Sequence, residues 1–260
     1  AMRDGRLEGI FRRWGMWNED QPRLYARVLA SSATEMVPAS AGAAGLDVWE
    51  ATRRYAPSLV RAAVITLLVS CVAMVLAVVV GALIASGRVY GPRPLKGLLT
   101  AYVEVIRGTP LLLQLFVLYF GLAEVVQLPA LLAALIGLGL NYAAYESEIY
   151  RGALEAVPQG QLDAARTLGL TDRQTLALVR GPQAFRFALA PMTNDFVALL
   201  KDSSLVSVIT VVELTKQTSI FAANIGTWLV PGALCAGLYL VMSLPLARLA
   251  RRIEKGWRRG

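Results

Sequence analysis

From Ala62 to Ala85 the chain carries no charged side chain. As a helix rising ~1.5 Å per residue, this run extends roughly 36 Å, enough to cross a ~30 Å hydrocarbon layer with some tilt. Val125 to Tyr145 and Ile225 to Ala247 are also uncharged and long enough to span. Hydrophobic residues make up 56% of the chain, against roughly 45–50% for a soluble domain. The excess is gathered into long runs, which is a membrane pattern rather than a large soluble core. None of the runs has the short apolar core and small-residue cleavage site of a signal peptide.

The formal net charge is +8, but the positions of the cations decide what it means. Arg88, Arg93 and Lys96 follow the first run. Arg248, Arg251, Arg252, Lys255, Arg258 and Arg259 follow the last. Clusters beside membrane segments mark cytoplasmic ends and contact with anionic lipid. No nucleic-acid recognition motif accompanies them, so nucleic acid is not a predicted partner. Cys71 and Cys235 lie inside apolar spans and read as small packing residues. With no His and no Cys cluster, no metal site is predicted.

The pattern predicts an all-α, polytopic membrane protein with about five transmembrane helices: 59–86, 98–122, 128–146, 183–200 and 225–247. The second is predicted to be broken. Its apolar part is short, and Gly108-Thr109-Pro110 interrupts it. Pro110 removes a backbone donor and biases Thr109 away from helix. The fourth span contains Pro191, and the fifth is interrupted by Pro231 and Pro245. The apolar stretch 203–212 is too short to cross and reads as interfacial or re-entrant. Upstream, residues 19–45 hold Pro22, Pro38 and a run of small residues, which reads as a linker. Leu46 to Pro57 reads as a short amphipathic helix with Trp49 and Tyr55 near the membrane surface. Residues 253–260 form a basic tail.

Two sets of polar residues within the spans are candidates for a transport path. Asp195 lies beside Asn194 in an otherwise apolar helix. A carboxylate at membrane depth costs at least ~2.5 kcal/mol on insertion scales, so it must face a cavity or a cation. It can attract a substrate ammonium, or pair structurally with Arg107 or Lys201. The second set is Glu104, Arg107 and Thr109 at the predicted break. Free backbone groups there can bind a charged substrate, and Arg107 can hold a carboxylate through two hydrogen bonds. The alternative is an intrahelical Glu104–Arg107 pair, since the two share a helix face.

Between spans three and four lies a polar island, about 147–182. It includes Gln161-Leu162-Asp163-Ala164-Ala165-Arg166-Thr167-Leu168-Gly169-Leu170 and continues to Gly181-Pro182-Gln183-Ala184. Small residues allow close approach, Gly169 suits a helix-ending position, and Thr171 can cap the next helix. This segment resembles the E-A-A-(three residues)-G coupling loop of ABC-transporter permeases. Pro191, Asn194 and Leu200-Lys201-Asp202-Ser203-Ser204-Leu205 resemble the polar amino-acid branch of that family. The likeness runs from about Leu59 to Arg252. Asp163 stands where the family favours Glu, and Gly181 where it favours Leu. The first keeps the charge with a shorter reach; the second is expected to loosen entry to span four.

The resemblance implies a type I ABC importer permease in a bacterial inner membrane. Its coupling residues would be Leu162, Asp163, Ala164, Ala165, Arg166 and Gly169. It implies two ATPase subunits per complex, a second permease copy or paralogue, and an external solute-binding protein or fused domain. ATP and magnesium would be bound by the ATPase, with no cofactor in this chain. Residues 1–18 resemble the last helix of a periplasmic amino-acid-binding domain, which makes a fused remnant one reading and an amphipathic extension the other. Five spans with a cytoplasmic coupling loop put the N-terminus outside and the C-terminus in the cytoplasm. No GxxxxGK[ST] loop occurs, and without His the common catalytic triads are excluded, so the chain is not predicted to be an enzyme. A secondary transporter or channel without an ATPase is the alternative, and a membrane scaffold a third.

Overall fold

A computed structural model describes residues 48–257, together with Arg13 and Pro22; the side chains of Val48, Ala51 and residues 253–257 are outside that description. Residues 1–18, read above as a domain remnant, and the predicted linker lie outside the described residues except at those two positions. Among the described residues, Val48–Ala223 and those from Thr227 onward form one compact unit.

The described residues are helical, with no strand among them. In chain order the elements are α1 (Val48–Tyr90), α2 (Arg93–Gly108), α3 (Leu111–Phe116) with a π-turn Val117–Gly121, α4 (Ala130–Glu155) and α5 (Gln159–Thr167). Then come α6 (Asp172–Thr175) with a π-turn Leu176–Arg180, α7 (Gly181–Asp202), a 3₁₀ helix Ser203–Ile209, α8 (Leu214–Ile225) and α9 (Leu229–Trp257). Thr52–Tyr90 and Leu229–Arg252 are each long and apolar enough to cross a membrane. The pair α2 and α3 passes together, bent by 105°. At ~1.5 Å per residue, α4 and α7 are also roughly 39 and 33 Å long, but polar residues such as Asn141, Glu146, Asn194 and Asp195 lower their hydropathy.

Several predicted boundaries are corrected. The separate amphipathic helix at Leu46–Pro57 does not exist as such: α1 runs unbroken from Val48, with Pro57 inside it. Pro191 lies inside α7 and Pro245 inside α9 without ending either helix. Pro231 sits in the first turn of α9, where its missing N–H would have no partner anyway. Span three continues as α4 to Glu155, well into the polar island. α8 lies in a stretch for which the sequence pattern predicts no helix. Cys71 is exposed on α1 rather than packed.

The centre of this unit is the α1–α4 pair. α1 presents Ala73, Ala77 and Gly81 at four-residue spacing, the two alanines fully buried. α4 answers with Gly139, Ala143, Ala144 and Ser147, the last three fully buried. A methyl group on Gly81 would lie 2.8 Å from Glu146 Cβ and 3.0 Å from the Ala143 carbonyl oxygen. Small residues let backbones approach closely, which is how helices associate where lipid removes most of the hydrophobic drive. The other face of α1 carries exposed Val64, Leu68, Val72, Val75, Val79 and Leu83, an apolar stripe suited to lipid or another membrane helix.

α8 is pinned to α1 by polar contacts: Thr66 Oγ1 accepts from the Leu214 backbone N–H (3.0 Å), and Gln217 Nε2 donates to Ser58 Oγ (3.3 Å). The fully buried Glu213 accepts from the backbone N–H groups of Thr215 (2.8 Å) and Lys216 (2.7 Å), capping α8, and from Tyr239 Oη (3.2 Å). Phe221 stacks on Tyr55 with ring centroids 4.4 Å apart. Past the apolar part of α4, Glu148 pairs with Arg88 of α1 and with Arg151 (2.6 Å), which also pairs with Glu155 (2.8 Å). The Arg151 hydrogen bond, aided by Arg88, outweighs partial burial and holds the Glu148 carboxyl down to about 2. Neighbouring opposite charge favours the ionised form.

Candidate functional site: a charged cavity at the broken helix

The break between α2 and α3 follows from local chemistry. Pro110 has no N–H for the Ile106 carbonyl, and Thr109 is extended at φ −120°, ψ 145°. Gln114 supplies the missing donor. Its Nε2 donates to the Ile106 carbonyl (2.8 Å), to Thr109 Oγ1 (2.8 Å) and to the Thr109 carbonyl (3.2 Å). Its Oε1 accepts from Asn141 Nδ2 of α4 at 3.0 Å. Thr109 Oγ1 in turn donates to the Val105 carbonyl at 2.8 Å. The Val105, Ile106 and Thr109 carbonyls at the break are therefore satisfied within the protein, as irregular backbone at membrane depth requires.

This turn forms one wall of a cavity of about 540 Å³. Arg107, Gly108, Thr109 and Pro110 line it from the break, Asn141, Tyr142 and Tyr145 from α4, and Asp195, Ala198 and Asp202 from α7. The Arg107 guanidinium lies over the Tyr145 ring, 5.3 Å from its centroid, within range for a cation–π contact. Tyr142 Oη donates to Asp202 Oδ2 at 2.7 Å. Asp195 Oδ2 is buried and has no hydrogen-bond partner.

Of the predicted path residues, the structure thus brings together Arg107, Thr109 and Asp195. Glu104 and Asn194 are exposed and do not line the cavity. Sequence reasoning missed Asn141, Tyr142, Tyr145 and Asp202, and it missed the Gln114 clasp. Gln114 and Asn141 are each a lone amide in an apolar run, Leu111–Phe116 and Leu138–Ala144, and that isolation was the available signal. Asp202 lies just past the predicted end of span four and enters the sequence reading only through the family-like segment Leu200–Leu205.

The polar island folds as two short helices with a sharp turn. Gly169 sits at φ +81°, a conformation open to glycine at little cost. Thr171 forms a capping box with Gln174, as its position at the helix start predicts. Leu162 and Ala165 are buried, Leu162 among Ala153, Val157, Ala184 and Ala188. Asp163, Ala164 and Arg166 are exposed. Arg166 bridges the two helices, 3.4 Å from Asp163 and 3.6 Å from Asp172. Leu168, beside the turn, is 81% exposed. Gly181 does not loosen the entry to α7. A methyl there would come within 2.7 Å of the Leu176 carbonyl oxygen in the π-turn, so glycine permits that turn to pack.

Residues 77–259 match the family described as "Binding-protein-dependent transport system inner membrane component". The chain is 37% identical over 192 residues to the L-cystine transport system permease protein TcyB of Bacillus subtilis, covering 73% of this chain and 82% of that protein. It is 33% identical over 211 residues to the glutamine transport system permease protein GlnP of Escherichia coli, covering 80% and 96%. Among solved structures, a chain of "an amino acid ABC transporter with histidines" superposes with a TM-score of 0.76 at 34% identity, covering 81% of this chain and 98% of that one. An inward-facing MetNI methionine transporter chain superposes with a TM-score of 0.57 at 19% identity, a likeness of fold.

Proposed function

This chain belongs to the family of inner membrane components of binding-protein-dependent transport systems, as a permease subunit of an amino-acid ABC importer, and on that premise we propose that its charged cavity receives the amino acid in transit. Such permeases are not themselves enzymes; the ATPase is a separate chain. The secondary-transporter or channel alternative is not favoured, because the relatives are ABC permeases.

One observation carries the reading: Asp195, whose buried Oδ2 has no hydrogen-bond partner, lines the same cavity as Arg107 and the opened turn at Thr109. A buried carboxylate oxygen without a partner is costly unless a ligand completes it. An amino acid offers a carboxylate for Arg107 and an ammonium for an aspartate. Glu104 and Asn194, outside the cavity, act at most on its approaches.

The five-crossing reading follows, with α1, the α2–α3 pair, α4, α7 and α9 as the spans of a permease domain over about 58–252. The polar island then meets the ATPase in the cytoplasm, beside the basic C-terminal segment, and the N-terminus lies outside. Asp163, Ala164, Arg166 and Leu168 form the outward surface for docking. Leu162 and Ala165 seat the loop from inside, and Gly169 sets the turn. One such bundle supplies half of a two-fold path, completed by a second copy or a paralogue. A binding protein delivers substrate, two ATPase subunits bind ATP and magnesium, and ATP supplies the differential binding energy between outward and inward states.

The test is to purify the chain from its native membrane in mild detergent and assay ATPase activity against a panel of amino acids. An ATPase should copurify and be stimulated by one amino-acid class, and Asp195→Asn should remove the stimulation while the complex still assembles. Unchanged stimulation in that variant would sink the cavity reading.

A further inference from the structure

The charges of the cavity wall do not balance those of a neutral amino acid. Three charged side chains line it: Arg107 from the break, and Asp195 and Asp202 from α7. The α4 contribution, Asn141, Tyr142 and Tyr145, is uncharged. On the same helix, Glu146 is fully buried against Gly81 of α1, and neither of its carboxylate oxygens has a hydrogen-bond partner. Lys201 neighbours Asp202 in sequence but is exposed and does not line the cavity.

A zwitterion with a neutral side chain brings one carboxylate and one ammonium. Arg107 answers the carboxylate, and one aspartate answers the ammonium. The second aspartate is left over. Tyr142 gives Asp202 one hydrogen bond, which lowers the cost of its charge without cancelling it. Asp195 has not even that at Oδ2. Desolvated charge without a partner is strongly disfavoured, and the penalty is relieved by a counter-charge in good geometry. An acidic amino acid would add repulsion to that imbalance.

We propose, resting on the reading that this cavity receives the substrate, that it selects amino acids with a positively charged side chain. In this assignment Arg107 takes the α-carboxylate, Asp202 with Tyr142 takes the α-ammonium, and Asp195 takes the side-chain guanidinium or ammonium. Asp195 is then the specificity-determining residue of the cavity.

The experiment is calorimetric titration of the copurified permease–ATPase complex in nanodiscs with L-arginine, L-lysine, L-glutamine and L-glutamate. Arginine and lysine should bind at least about 10-fold more tightly than glutamine, equivalent to ~1.4 kcal/mol, with glutamate weakest. Asp195→Asn should bring the arginine-to-glutamine ratio to within about 2-fold. Asp195→Glu, which keeps the charge, should retain a clear preference and controls for misfolding. Equal binding of arginine and glutamine by the wild type would overturn the proposal, as would parallel weakening of both by Asp195→Asn. If glutamine binds well and Arg107→Gln abolishes it, the cavity still receives amino acids and only the cationic preference is lost. If none of the four probes binds, the cavity reading and the preference fall together.

Discussion

Four prolines lie in or between the described helices at positions where an interior N–H would be lost, and only one breaks its helix. Pro57, Pro191 and Pro245 sit within continuous α1, α7 and α9. Pro110 lies at a 105° bend. Exposure does not separate them, since all four are exposed. Their neighbours do. Ala56, Ala190 and Leu244 are good helix formers, whereas Pro110 follows Gly108-Thr109, and Gly and Thr both favour leaving the helix. Past the bend, Gln114 donates to the carbonyl at Ile106 that Pro110 orphans. Membrane helices tolerate proline where neighbours satisfy the freed groups. A break at this depth therefore needs a weak helical context and a side chain that rewires the backbone, and the proline alone is not enough.

The largest expected effect comes from removing that side chain. Gln114→Leu leaves the Ile106 and Thr109 carbonyls and the Asn141 amide short of partners. Each unsatisfied buried group costs ~1–3 kcal/mol. Thermal unfolding in nanodiscs should fall by several degrees, and amino-acid-stimulated ATPase activity by about 10-fold, because Arg107 and Thr109 lose their fixed positions. A variant with wild-type stability and stimulation would show that the break holds itself. Thr109→Val should act in the same direction but less, since it removes one hydroxyl that both accepts from Gln114 and donates to Val105. A loss of about 1 kcal/mol is expected, read as a smaller shift in melting temperature.

This contrast also marks how far the sequence could be read. The break at Gly108-Thr109-Pro110 was legible because three unfavourable helix signals coincide there. The continuity of α1 through Pro57 and of α9 through Pro245 was not, because a single proline looks alike whether or not its surroundings hold the helix together. Arg107, Thr109 and Asp195 were legible as isolated polar groups in apolar text, and the structure gathers them at one cavity. Glu104 and Asn194 carried the same signal but face away. Helical spacing relates residues on one helix, and it does not say which face meets the cavity formed with another. The extension of α4 to Glu155 was hidden for a similar reason. The ladder of Arg88, Glu148, Arg151 and Glu155 that stabilises it joins α1 to α4 across a large sequence separation.

Substituting the prolines themselves separates context from proline at finer scale. Pro110→Ala restores an N–H, yet the extended backbone at Thr109 and the Gln114 clasp remain. If those two features hold the bend, stability should change by less than about 1 kcal/mol and stimulated ATPase activity by no more than about 3-fold, ~0.65 kcal/mol. Pro191→Ala is the counterpart. It returns a donor to the Phe187 carbonyl within a helix that is already continuous. Interior proline costs about 3 kcal/mol in a soluble helix, but relief by neighbouring groups in a membrane bundle reduces what can be regained. A rise of one or two degrees in melting temperature is expected, roughly the scale of a few tenths of a kcal/mol in a domain of this size. A large gain at Pro191 would mean that α7 is held under strain beside Asp195. The prolines would then differ in how much strain each helix stores, rather than in which helix can rewire its backbone.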